Sequence, residues 1–172
     1  MKTIDYCKKI FYEASCFYEE SSSTFEKVLK CSLYYDENNQ PVLERDAFYY
    51  FTFVIVNGVF ACELFLKSLI CYKTNNEIQA NRTHSLKKLI NLLSKDDREI
   101  IMETFDKNEI DESSFNSKID EIDTAFVDWR YVFEEGKHRS VDLVFLDHLL
   151  GILRYIATEA FENDNKKHSD PV

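Results

Sequence analysis

The sequence predicts an all-α protein, and three observations carry that expectation. Only 3 glycines and 2 prolines occur in 172 residues, too few turn formers for a multi-strand β fold. Apolar residues recur at helical spacing through most of the chain. One stretch, AFYYFTFVIVNGVFAC at 47–62, runs sixteen residues without a charge, as a helix buried on most sides would. The expected architecture is an up-and-down bundle of four to five main helices. It forms one domain over 1–162, followed by a disordered tail over 163–172.

The elements follow in order. Residues 4–31 place Ile4, Cys7, Ile10, Phe11, Ala14, Phe17 and Tyr18 on one face, so a long first helix is expected, weakened at SSS 21–23. The polar SLYYDENNQPV at 32–42 reads as a loop. A central helix is expected over about 43–74. Its uncharged run falls short of the roughly 20 residues that a membrane span needs. TNNEIQANRTHS then makes a connection. Two short helices are expected, 85–93 and about 95–106, and Ser94 and Asp97 have capping-box spacing at the start of the second. The acidic 107–117 reads as a mobile loop. A helix over about 117–135 should stop at Gly136, a good C-cap residue, and a last helix should span about 141–162.

Composition narrows the function. The formal charge is −10, which disfavours any protein that grips nucleic acid through a broad basic face. The glycines stand isolated at 58, 136 and 151, which excludes a phosphate-cradling glycine loop. The histidines at 84, 138, 148 and 168 are too scattered for a metal centre, so no metal and no cofactor are expected. Five cysteines without ligand spacing read as reduced, partly buried thiols. The first residues lack an uninterrupted apolar stretch, so a cytoplasmic protein without a leader is expected. NRT at 81–83 is then a chance sequon.

Three groups remain as candidates. Glu63 and Lys67 stand four apart on an otherwise apolar helix. As a surface pair they contribute a few tenths of a kcal/mol, but a buried Glu63 needs a cationic partner, and Arg130 is the expected one. Arg130 shares a helical stripe with Phe126, Trp129 and Phe133, and its planar fork suits either a structural carboxylate or a bound anion. His138, beyond Gly136, suits either helix-end compensation or general acid–base chemistry. His148 reads as a hydrogen-bonded core histidine, and His84 as a cap residue.

Three segments together resemble the HEPN superfamily of prokaryotic toxins, defence proteins and nucleotidyltransferase partners. They are NGVFACELFLKSLICYK, THSLKKLINLL and WRY late in a long helix, and the likeness covers roughly residues 43–160. The resemblance implies a HEPN-like bundle acting as a homodimer in a toxin–antitoxin or phage-defence setting. It implies a protein partner of antitoxin or nucleotidyltransferase type, or RNA, and no membrane. In the catalytic members an Arg-x(4–6)-His motif makes a metal-independent ribonuclease. Carried over, Arg130 would hold phosphate and His138 would act on the ribose hydroxyl at a dimer cleft, with Glu63 as a site carboxylate. Here seven residues separate Arg130 from His138 and Gly136 interrupts them. That departure tilts the expectation to a non-catalytic module binding a partner protein or nucleotide, with the ribonuclease as the alternative.

Overall fold

A computed structural model describes residues 2–31, 33–35, 38, 41–43, 45–75, 83–130 and 141–167, with side chains over 3–31, 38, 47–75, 83–123 and 141–162. The order is α1 (Lys2–Lys30), β1 (Leu33–Tyr35), β2 (Pro41–Leu43), α2 (Arg45–Thr74), α3 (Leu86–Leu92), α4 (Lys95–Asp106), α5 (Glu112–Arg130) and α6 (Leu143–Lys167). The all-α expectation holds for the body of the protein. Among the described residues, one short antiparallel pair joins Leu33 with Leu43 and Tyr35 with Pro41, in the segment expected to be a loop and at the expected start of the central helix.

The pairing of α1 with α2 is the most extensive between elements. One of the serines expected to weaken α1 takes part in it. The helix runs through them unbroken, and Ser21 is buried, its hydroxyl donating to the Val54 carbonyl at 3.2 Å. Opposite stands Gly58, where a Cβ would lie 3.0 Å from Ser21 Oγ and 3.3 Å from Leu146 Cδ2. Small residues therefore let α1, α2 and α6 converge at one point, and a larger residue at 58 would require the Ser21 and Leu146 side chains to give way by a few tenths of an ångström.

Toward the far end of α2, Phe65, Phe11 and Phe161 bring α2, α1 and α6 together, with ring centroids 5.0–6.0 Å apart along the chain of contacts. Tyr72 adds a further ring at 4.9 Å from Phe161. Cys7 and Cys71, both buried here, are joined as a disulfide with Cα atoms 5.9 Å apart. This corrects the expectation that all five thiols stay reduced. Helical periodicity placed Cys7 on the buried face but could not show that Cys71 faces it across 64 residues. Cys62 is free and buried, and burial pushes its thiol far above the ordinary range.

A second aromatic group joins α4, α5 and α6. Phe105, Phe115 and Phe145 form a triangle with centroids 4.9–5.6 Å apart. Phe115 lies in the stretch expected to be a mobile loop. Instead α5 begins at Glu112, because Asp111 accepts from the Ser114 N–H at 2.7 Å and so caps the first turn. The connection before it is a short turn closed by Ile110 N–H donating to the Phe105 carbonyl, with Glu109 at φ 62°. The apolar gain from inserting Phe115 outweighs the polar composition around it.

The capping pair Ser94–Asp97 is present. Ser94 Oγ accepts from the Asp97 N–H at 3.2 Å and donates to Asp97 Oδ2 at 2.6 Å. Asp97 is buried and also receives Lys73 from the end of α2, at 3.5 Å. Asp142 caps α6 by accepting from the Phe145 N–H at 3.0 Å. That helix continues to Lys167, past the expected boundary at 162, and Arg154 lies over the Tyr18 ring at 4.2 Å while meeting Glu19. His148, expected in the core, is exposed, since Phe145, Leu146, Leu149, Leu150 and Leu153 take the buried stripe. Helix α2 is long and apolar enough to cross a membrane, yet 72% of its apolar window is buried inside the protein, as in the core helix of a soluble bundle.

Candidate functional site

Glu63, on the apolar α2, is a carboxylate only 2% exposed. A lone carboxylate there would carry a large desolvation cost. One turn on, Lys67, itself 6% exposed, donates from Nζ to Glu63 Oε1 at 2.7 Å. The same oxygen lies 2.8 Å from His84 Nδ1, in the segment leading to α3. Glu63 thus meets two basic groups, and the partner expected for it, Arg130, is not one of the contacts described. Arg130 is the last residue of α5, with its side chain outside the described residues, and His138 lies wholly outside them.

His84 is fixed by what surrounds it in the chain. Ser85 is the N-cap of α3, its hydroxyl accepting from the Lys88 N–H. Asp123 of α5 completes the cap. Its Oδ2 accepts from Ser85 Oγ and its Oδ1 from the Leu86 N–H, both at 2.6 Å. Lys87 reaches Asp120 on the same helix at 2.7 Å. Leu86 and Leu89 are fully buried and seat α3 in the core. Helix α5 therefore clamps the start of α3, and the clamped start sets His84 over Glu63.

The resulting imidazole is half fixed and half free. A carboxylate paired with an ammonium only accepts hydrogen bonds, so the proton on the neutral ring sits on Nδ1 and the lone pair on Nε2. The His84 side chain is 79% exposed. The group is a solvent-presented base or nucleophile, oriented by a buried acid. Among the described residues no group of three or more His, Cys, Asp or Glu side chains could hold a metal ion. A cavity of about 250 Å³, with Ile90, Arg98, Met102 and Phe115 among its lining residues, does not include His84.

Sequence reasoning singled out Glu63 and Lys67 but assigned His84 only a cap. The available signal was the histidine standing just before the Ser-Leu start of α3. No periodicity links position 84 to position 63. Comparison of the chain with family models, with curated proteins and with solved structures returns no match.

Proposed function

We propose that this chain is a HEPN-like helical module that works by binding rather than by cleavage. Its setting is a toxin–antitoxin or phage-defence system, and it acts as a homodimer that engages a partner protein or a nucleotide-bearing ligand. The observation that carries this reading is the state of Glu63. A site carboxylate should face substrate, but Glu63 is buried and committed to Lys67 and His84. Its role fits the positioning of α2 against the segment before α3. The acidic balance of −10 also fits a protein partner better than a nucleic-acid backbone.

The test is RNA cleavage in EDTA by the wild type, Arg130→Ala and His138→Ala. The expected result is no cleavage above a no-protein control in any of the three. Metal-independent cleavage by the wild type that disappears in both variants would overturn the module and establish the ribonuclease built on Arg130 and His138.

A further inference from the structure

Away from Glu63 and His84, helices α3, α4 and α5 leave a cavity of about 250 Å³ between them. Pockets for drug-sized ligands begin near about 300 Å³, so this one suits a smaller molecule. Its inner wall is apolar. Ile90 of α3, Ile101 of α4 and Phe115 of α5 are buried, and Met102 of α4 is half-buried. An apolar group that enters here leaves water, and the unbranched Met102 thioether adapts to its shape.

The rim is charged, and its charges cancel. Lys95 and Glu99 stand one turn apart on α4 and meet each other at 3.3 Å. The other two, Arg98 of α4 and Glu112 of α5, are exposed on different helices and border the same cavity. Among the described residues the Arg98 guanidinium and the Glu112 carboxylate make no ion pair or hydrogen bond, with each other or with any neighbour. Asn91 and Asn116 add neutral amides to the rim.

That pattern selects among ligands. A simple anion would meet Arg98 but also two carboxylates, and a simple cation would meet Glu112 but also two basic side chains. A zwitterion satisfies both unpaired groups at once. The planar fork of Arg98 suits a carboxylate, and Glu112 accepts from an ammonium. An α-amino acid carries both charges on one carbon, with its side chain as a third branch free to enter the apolar wall.

We propose that this cavity binds a free apolar α-amino acid of about the size of leucine, methionine or phenylalanine. Arg98 holds its carboxylate and Glu112 its ammonium, and its side chain lies against Ile90, Ile101, Met102 and Phe115. The bound molecule bridges α4 to α5 and rests on α3. The site shares no residue with the Glu63–Lys67–His84 group, and the proposal stands apart from the reading of that group as a binding module.

Titration calorimetry of the full-length protein with L-leucine, L-methionine and L-phenylalanine tests the proposal. At least one should bind with a dissociation constant of about 1 mM or tighter. Weaker binding, or none, by all three would overturn it. Glycine, with the same charges and no side chain, should bind at least about tenfold more weakly than the best of them. The N-acetyl and the amide derivatives of the best ligand each lack one charge and should also lose about tenfold. Equal binding by the N-acetyl amide would assign the cavity to an apolar anchor residue of a partner protein and overturn the amino-acid site. Arg98→Gln and Glu112→Gln, both at exposed positions, should each weaken binding by a similar factor. Unchanged affinity in both variants would place the binding elsewhere and overturn the proposal. The ligand series uses the wild type alone, so it decides the matter whatever the variants do to folding.

Discussion

Two ion pairs in this protein share a four-residue spacing, in opposite order, and have opposite surroundings. Lys9 and Glu13 on α1, and Glu63 and Lys67 on α2, each stand four residues apart on a helix. The first pair is 3.9 Å apart with side chains 74% and 53% exposed. The second is 2.7 Å apart with both side chains buried. A spacing rule assigns both the same few tenths of a kcal/mol. Burial separates them, because the second pair has left water and neither member can lose the other without being stranded.

The largest expected effect comes from stranding one charge. Lys67→Ala should lower unfolding stability by about 3–5 kcal/mol in a urea titration, since Glu63 keeps only His84. Glu63→Gln keeps an acceptor for Lys67 and should cost about 1–3 kcal/mol. Replacing both, as Glu63→Leu with Lys67→Met, should recover most of the loss while removing the anchor for His84. If the double variant is as unstable as Lys67→Ala, packing rather than charge is what the pair supplies, and the comparison with Lys9–Glu13 fails.

A smaller effect is expected at the clamp between α5 and α3. Asp123→Ala removes the acceptor for the Ser85 hydroxyl and the Leu86 N–H and should cost about 1–2 kcal/mol. In proton NMR the His84 resonances should shift while those of His148 stay in place. Equal shifts at both would show that α5 does not set the position of His84.

The next effect depends on pH. Burial alone would raise the Asp142 carboxyl, but the Lys118 ammonium and the Phe145 N–H outweigh it and hold the group below its ordinary value. A carboxyl lowered by folding contributes stability above its unfolded value and loses it as pH falls through the folded one. Acid titration of wild type and Asp142→Asn should therefore show their stabilities converging below about pH 4. A gap that stays constant down to acid would remove Lys118 from the account. The smallest effect is the other half of the opening comparison. Lys9→Ala should change stability by less than about 0.5 kcal/mol.

The helical class, the helical segments of the described residues and the buried course of α2 were legible in sequence. Each rests on local rules, periodicity and scarcity of turn formers, that act over a few residues. The capping pair Ser94–Asp97 was legible for the same reason. The start of α5 was misplaced because Phe115 is one apolar residue in polar surroundings, and only Phe105 and Phe145, from other helices, make its burial favourable. The site was half legible. An acid and a lysine one turn apart on an apolar helix announce themselves.

Their partner does not, because His84 reaches Glu63 through α3 being seated by Leu86 and clamped by Asp123. Likewise Cys7 meets Cys71 only through the packing of α1 on α2, across 64 residues of sequence. By itself the sequence determined which faces are apolar, since that depends on residue type and helical period. The tertiary structure decided which polar groups meet in those faces, because a buried charge takes whatever partner the packing of distant segments brings within hydrogen-bond reach.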